Sequence, residues 1–241
     1  MRTLALTIAL ATTLGACATK PRPVEIAAAS VAVEPPTPAT LEWQRAIVQA
    51  DLRAINMLPV TWTKAQAAIG PRGRSAARTE GALLDPAGAL DQPGLPPGSY
   101  NCRVVRLGAA AGRGGLRAFP SQFCFVTSGE DGKLTFDKQT GTDLPTGWLY
   151  PDGDKRYVFL GAQQSKPGEN SVRYGADRAR DMAGVAERVG PFRWRLVVPR
   201  HDPDGLWVYE LTPVPAEQQP GADPATKVGS AAIQGAAGRR G

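Results

Sequence analysis

Residues 183–212, AGVAERVGPFRWRLVVPRHDPDGLWVYELT, contain three short apolar runs separated by Gly190-Pro191 and by Asp202-Pro203-Asp204-Gly205. Alternation within each run, with turn formers between them, predicts strands over 183–189, 192–199 and 205–212 joined as hairpins. The pattern extends upstream. Runs at 99–107, 121–127, 132–138, 146–150 and 155–161 are divided by turn formers such as Glu130-Asp131-Gly132 and Pro151-Asp152-Gly153-Asp154. Eight strands with these connections imply an antiparallel meander, and a meander of that size can close on itself and remove its edges. We expect a mainly β protein whose residues 99–212 form a closed or nearly closed eight-stranded barrel, with an open sandwich as the alternative.

One residue breaks the alternation. Val185, Glu187 and Val189 share a strand face, and a two-residue turn at Gly190-Pro191 would set Glu187 opposite Trp194, on a face with Phe192, Leu196 and Val198. Arg188, Arg193 and Arg195 would then point the other way. A carboxylate among apolar side chains must be paired or protonated. Arg103, Arg156 and Arg180 are the candidate partners, and Arg180 lies on a charged loop, 173–181, able to fold back over one barrel mouth. Tyr174, Asp177, Arg180, Asp181 and Glu187 therefore form the expected ligand or mouth site, and Glu187 carries the expectation of an interior ion pair.

Cys102 and Cys124 fall in the first two expected strands, and in an exported domain a disulfide between them is the expected state. Trp148, Trp194 and Trp207 lie in strands and are expected in the core. Upstream, Leu41, Val48, Leu52 and Ile55 recur at helical spacing between Thr40 and Pro59, and a second helical stretch follows Thr61 and ends at Gly70-Pro71. Trp43 and Trp62 would dock these two helices on the barrel. Arg72 to Gly98, with Pro86, Pro93, Pro96 and Pro97, reads as a loop, so 40–98 is expected to be a helical segment followed by a connection.

At the other end of the chain, Met1-Arg2 precedes the apolar run Thr3–Leu14, which is too short for a bilayer core of about 30 Å and suits the apolar region of a signal peptide, 1–16. Leu14-Gly15-Ala16-Cys17 resembles the lipobox of bacterial lipoproteins, which implies that Cys17 is the lipidated mature N-terminus. Several acyl chains on one residue anchor a protein stably. Ala18 rather than Asp follows, which implies the outer membrane, with the protein facing the periplasm. Residues 17–39, with Pro21, Pro23, Pro35, Pro36 and Pro38, read as a disordered tether, and 213–241 as a disordered tail.

Composition removes several chemistries. One His and three Cys among 241 residues leave almost no material for a metal site or a nucleophile triad, and no metal or cofactor is expected. The net charge of +6 is spread along the chain, with 6 basic against 5 acidic side chains in 40–98 and 16 against 13 in 99–212, which argues against a nucleic-acid groove. Gly108–Gly115 (GAAAGRGG) lacks the Lys-Ser/Thr and the following helix of a phosphate loop, and reads as a flexible hairpin loop. His201 lies in a turn and reads as a solvated side chain.

Gly98-Ser99-Tyr100-Asn101-Cys102-Arg103, Phe123-Cys124, Gly147-Trp148-Leu149-Tyr150, Val158-Phe159-Leu160-Gly161, Glu187-Arg188, Arg193-Trp194-Arg195-Leu196-Val197 and Glu210-Leu211 together resemble the bacterial domain-of-unknown-function family 4893. The resemblance covers roughly residues 40–213, implies an exported protein and brings no activity with it. Three functions fit these observations. The first is a periplasm-facing lipoprotein whose barrel binds a small amphipathic ligand or a protein, including an inhibitor-like form that would present the chain just before Ser99. The second is an accessory envelope lipoprotein without a pocket. The third is a hydrolase using Glu187 with Asp181 or Asp177; a non-enzyme is preferred.

Overall fold

The computed structural model describes residues 38–129, 131–169, 173–201, 204–215 and 218. Cys17, the expected signal peptide and nearly all of the tether and tail lie outside the described residues. Four helices come first, α1 (Pro38–Ala46), α2 (Gln49–Asn56), α3 (Leu58–Ala67) and α4 (Pro71–Glu80), followed by a 3-10 turn at Gly81–Leu83. The strands are β1 (Gly98–Gly108), β2 (Leu116–Ala118), β3 (Gln122–Ser128), β4 (Leu134–Lys138), β5 (Pro145–Asp152), β6 (Arg156–Gln163), β7 (Asp181–Gly190), β8 (Arg193–His201) and β9 (Asp204–Pro213). All pairings are antiparallel, and β9 returns to pair with β1 from Tyr100↔Pro213 to Gly108↔Gly205, closing a barrel of eight strands. The extra strand is β2, which takes over the second half of β1 where β3 leaves it.

The expected meander is present, and its strands fill both faces. Inward-pointing Tyr100, Phe136, Phe159, Trp194, Leu196 and Tyr209 are each at most 4% exposed and form one cluster. Phe136 meets Phe159 and Tyr209 edge-on, with ring centroids 6.1 and 6.5 Å apart. An eight-stranded barrel has a lumen just wide enough for its own side chains. Gly147 and Gly161 face each other across β5 and β6 to make room for these rings, since a Cβ on Gly161 would lie 2.4 Å from the Phe159 ring.

On the outside, Val105, Leu107, Val158, Leu160, Val185, Val197, Leu206 and Val208 are buried beneath Trp43, Ile47, Ile55, Leu58 and Trp62 of the helices. The helices run around the barrel, α1 on β5, α2 on β7 and α3 on β9 and β1. Trp43 and Trp62 dock them as expected. The long first helix is broken at Ile47-Val48, where the Val48 N–H donates to the Tyr174 hydroxyl instead of continuing the helix. Pro59, expected as a stop, sits in the first turn of α3, a position that asks for no N–H. The expected loop 72–98 contains α4, whose sequence PRGRSAARTE has no apolar stripe. It forms because the Gly-rich segment 108–115 lies under it: the Gly70 N–H donates to the Gly114 carbonyl at 3.1 Å, and a Cβ on Gly115 would stand 2.1 Å from the Ala68 carbonyl oxygen. That segment is the hairpin connection between β1 and β2, as expected, and it also serves as a packing surface.

Residues 90–97 then cross the upper mouth of the barrel. Leu95 is 4% exposed and joins the lumen cluster, the Trp194 indole N–H lies 3.0 Å from both the Pro93 and Gly94 carbonyls, and the Tyr100 hydroxyl donates to the Pro96 carbonyl. Trp194 and Trp207 contribute to the lumen, but Trp148 does not; it points outward on β5, 39% exposed. The half-alternating run TGWLY offered no sign of which face would be covered.

Cys102 and Cys124 form the expected disulfide, wholly buried, across a separation of 22 residues. Replacing both by Ala is expected to lower unfolding free energy by about 3 kcal/mol on the chain-entropy argument. Urea denaturation checks this, and a loss below 1 kcal/mol would mean the lumen packing alone holds β1 to β3.

Candidate functional site

The five residues expected at one mouth are divided among three places. Tyr174 and Asp181 belong to a clasp on α2: the Tyr174 hydroxyl donates to Asp51 at 2.5 Å, Arg178 donates to Asp51 and to Asp181 at 2.8 and 2.9 Å, and Asp181 also accepts from the Gly175 N–H. Asp177 accepts the Ala179 N–H and shapes the turn. Arg180 pairs with Glu169 through both nitrogens, at 3.0 and 2.6 Å, and not with Glu187. The Asp51 carboxyl is pulled up by burial but held below its ordinary range by the hydrogen bonds from Arg178 and Tyr174, and burial followed by the Asp51 contact pushes the Tyr174 hydroxyl up to about 12. The 173–181 loop therefore clamps α2, where it was expected to close a mouth.

Glu187 is on the outer face, beneath the helices. The β7–β8 turn is at Pro191-Phe192, and a bulge between Arg188 and Gly190 shifts the register, so that Glu187 opposes Arg195 and not Trp194. A shift of one residue exchanges the faces of a strand pair. Arg195, expected on the face opposite Glu187, shares its face and is 0% exposed. Its Nε donates to Glu187 at 2.7 Å, and its Nη1 donates to the carbonyls of Ala82, Leu83 and Asp85 at 3.1, 3.1 and 2.6 Å. The guanidinium also lies 5.2 Å from the Trp62 ring. Asp152, Arg156, Glu187, Arg195, Glu210 and Arg103 stand opposite one another in register, a row of alternating sign across β5, β6, β7, β8, β9 and β1. Arg193 and Arg103 both pair with Glu210, and Arg103 reaches Glu80 at the end of α4.

A second polar cluster forms the lower floor of the lumen. Lys138, 2% exposed, spends its three protons on Gln122 Oε1 and the carbonyls of Thr140 and Asp143, at 2.7, 2.6 and 2.6 Å. Burial lowers its pKa. Arg106 pairs with Asp143 at 3.2 Å and lies between the Phe119 and Trp207 rings, 4.7 and 4.2 Å from their centroids. The Tyr209 hydroxyl beside them is fully buried with no hydrogen-bond partner. Sequence reading missed this cluster because Lys138, Asp143 and Arg106 come from three separate stretches and each looks like an ordinary surface charge.

Most of the polar atoms in these clusters are taken up by one another, while Arg195 Nη2, Arg106 Nε and the Tyr209 hydroxyl are buried with no hydrogen-bond partner among the described residues. Glu187 and Asp181 stand six residues apart on β7, roughly 20 Å at strand rise, so those two carboxylates do not form a pair. Among the described residues no cluster of His, Cys, Asp and Glu could hold a metal. His201 is exposed at the end of β8 and lines a cleft of about 370 Å³ against α3.

Fold and site together define a closed, filled antiparallel barrel strapped by N-terminal helices. The chain belongs to the family described as domain of unknown function (DUF4893), whose model matches residues 43–211. No curated protein and no solved structure matches it.

Glu187→Ala strands the buried Arg195 guanidinium and is expected to cost about 3–5 kcal/mol in urea unfolding, with Glu187→Gln costing less because a hydrogen bond survives. Melting within a degree or two of the parent would show that the carbonyls of 82–85 suffice for Arg195. The clasp on α2 gives a pH signature. Because the folded Asp51 carboxyl titrates below its unfolded value, its contribution is present above the ordinary carboxylate range and is lost as pH falls through the folded value. The stability difference between parent and Asp51→Asn should therefore be constant above about pH 5 and shrink below about pH 4; a difference independent of pH would rule out the charged pair.

Proposed function

We propose that this chain is a lipid-anchored, non-enzymatic protein of the bacterial cell envelope, held through Cys17 at the outer membrane and facing the periplasm, whose barrel meets a partner protein with its outer surface. The single observation that carries this reading is the lumen. Its aromatic side chains pack on one another, Leu95 occupies the upper mouth, and Lys138, Asp143 and Arg106 occupy the lower floor. An open barrel of this strand number holds one small ligand; a filled one offers its outside. The inhibitor-like form is weakened as well, because the chain before Ser99 is the segment pinned by Trp194 and Tyr100. Lipidation rests on the lipobox resemblance, and the non-enzymatic reading on the filled lumen and on the pairing of Glu187, Asp143 and Asp181 with arginines.

Two measurements test it together. Titration with a lipophilic fluorophore such as N-phenylnaphthylamine is expected to give no saturable enhancement, and stoichiometric uptake would restore a lumenal ligand. An alkyne analogue of palmitate is expected to label the parent and not Cys17→Ala, with the variant leaving the membrane fraction; unlabelled parent protein removes the anchor.

A further inference from the structure

Between Asp51 and Glu80 there is no acidic residue, while Arg53, Lys64, Arg72, Arg74 and Arg78 occur; between Asp91 and Glu130 there is again none, while Arg103, Arg106, Arg113 and Arg117 occur. The fold brings the two stretches together. The Gly70–Gly114 hydrogen bond and the approach of Gly73 to Leu116 place the first turn of α4 beside the 112–116 segment, which brings Arg72, Arg74 and Arg113 to the helix face that carries Lys64 and Arg78. All five are exposed, and among the described residues none forms an ion pair, in contrast to Arg103, Arg106, Arg178, Arg180, Arg193 and Arg195. Clefts of about 370 and 330 Å³ flank α3, the first bordered by Lys64, Arg200 and His201 and the second by Arg74 and Arg78, with Asp204 and Asp85 the acids among the described residues that line them. Met57, immediately before α3, and Val60 on it are 51% and 42% exposed and line the first cleft with Lys64.

We propose that this face, centred on α3 and the start of α4, docks on an anionic phospholipid surface. Unpaired cations around exposed apolar side chains suit the interfacial zone of a bilayer, where headgroups take the charges and the acyl boundary takes Met57 and Val60. A polyanion would leave Met57 and Val60 unused. A single-stranded nucleic acid would need free aromatic faces for stacking, whereas the nearby ring, Phe119, is covered by Arg106 and Arg117. The contact is peripheral, since among the described residues no helix is long and apolar enough to cross a membrane. It does not depend on the lipid anchor, and the two can be separated.

The test uses the full chain carrying Cys17→Ala, so that no acyl chain contributes, in co-sedimentation with vesicles of phosphatidylglycerol and phosphatidylethanolamine and with vesicles of phosphatidylcholine. Binding is expected to the first and not the second, and to weaken with added salt. Arg72→Gln, Arg74→Gln and Arg113→Gln combined should reduce the partition coefficient at least about tenfold, given roughly fivefold per basic residue near an anionic surface. Met57→Ser with Val60→Ser should weaken binding without changing its salt dependence. These side chains are exposed, and an unchanged melting curve verifies that the variants fold. Equal binding to both vesicles, binding to neither, an unaffected triple variant, or binding to heparin or an oligonucleotide in place of vesicles would each overturn the proposal.

Discussion

Arg195 is the constraint around which the chain is arranged. A guanidinium with no exposure must find acceptors for its fixed fork of donors, and here they come from two layers: a carboxylate on the neighbouring strand and three carbonyls in the turn that ends the helical segment. The barrel cannot bury Arg195 without the helices, and residues 81–85 are held both by it and by Leu83 and Leu84, which are buried in the core beneath the helices. Glu187 and Glu210 keep the surrounding row electrically balanced, so that charge is buried between layers otherwise made of Val, Leu and Ile. Such a row contributes placement more than net stability, because each pair must first be taken out of water.

With the outside of β6 to β9 and β1 covered and the lumen filled, the strands that carry most of the apolar sequence are buried on both faces. That explains the unbroken apolar runs at 158–160 and 196–198. The polar floor at Lys138 follows the same logic as Arg195. A buried ammonium is tolerated where every proton has an acceptor, and the loop carbonyls that supply two of them are thereby fixed in place. The molecule keeps its polar chemistry for joining its own parts.

The charge that is not used internally is distributed differently from what a count along the chain suggests. Segment by segment, basic and acidic residues nearly balance, but the acids of the barrel are spent on arginines in the outer row, the α2 clasp and the floor. Five of the cations left without an ion pair, Lys64, Arg72, Arg74, Arg78 and Arg113, come from two stretches far apart in sequence, and Gly70, Gly114 and Gly115 allow their backbones to touch. A basic surface arises from what the ion pairs leave over.

The alternation of apolar residues, the turn formers between them and the spacing of Trp43 and Trp62 were enough to read a closed antiparallel meander with helices laid on it, because these are local properties of a backbone whose side chains alternate by two or recur by 3.6. The disulfide was legible too, both cysteines falling in adjoining strands. The partner of Glu187 was not. It depends on a one-residue bulge after Arg188, which shifts the register of β7 against β8 and moves Glu187 off the face of Trp194 and onto that of Arg195. Likewise α4 and the clasp of Tyr174 on Asp51 have no local signature, since each is stabilised by a surface more than thirty residues away. Sequence periodicity determined which residues could be strands and helices; only tertiary contact decided which charges would meet, because an ion pair is set by position across strands and layers, and no local pattern records that.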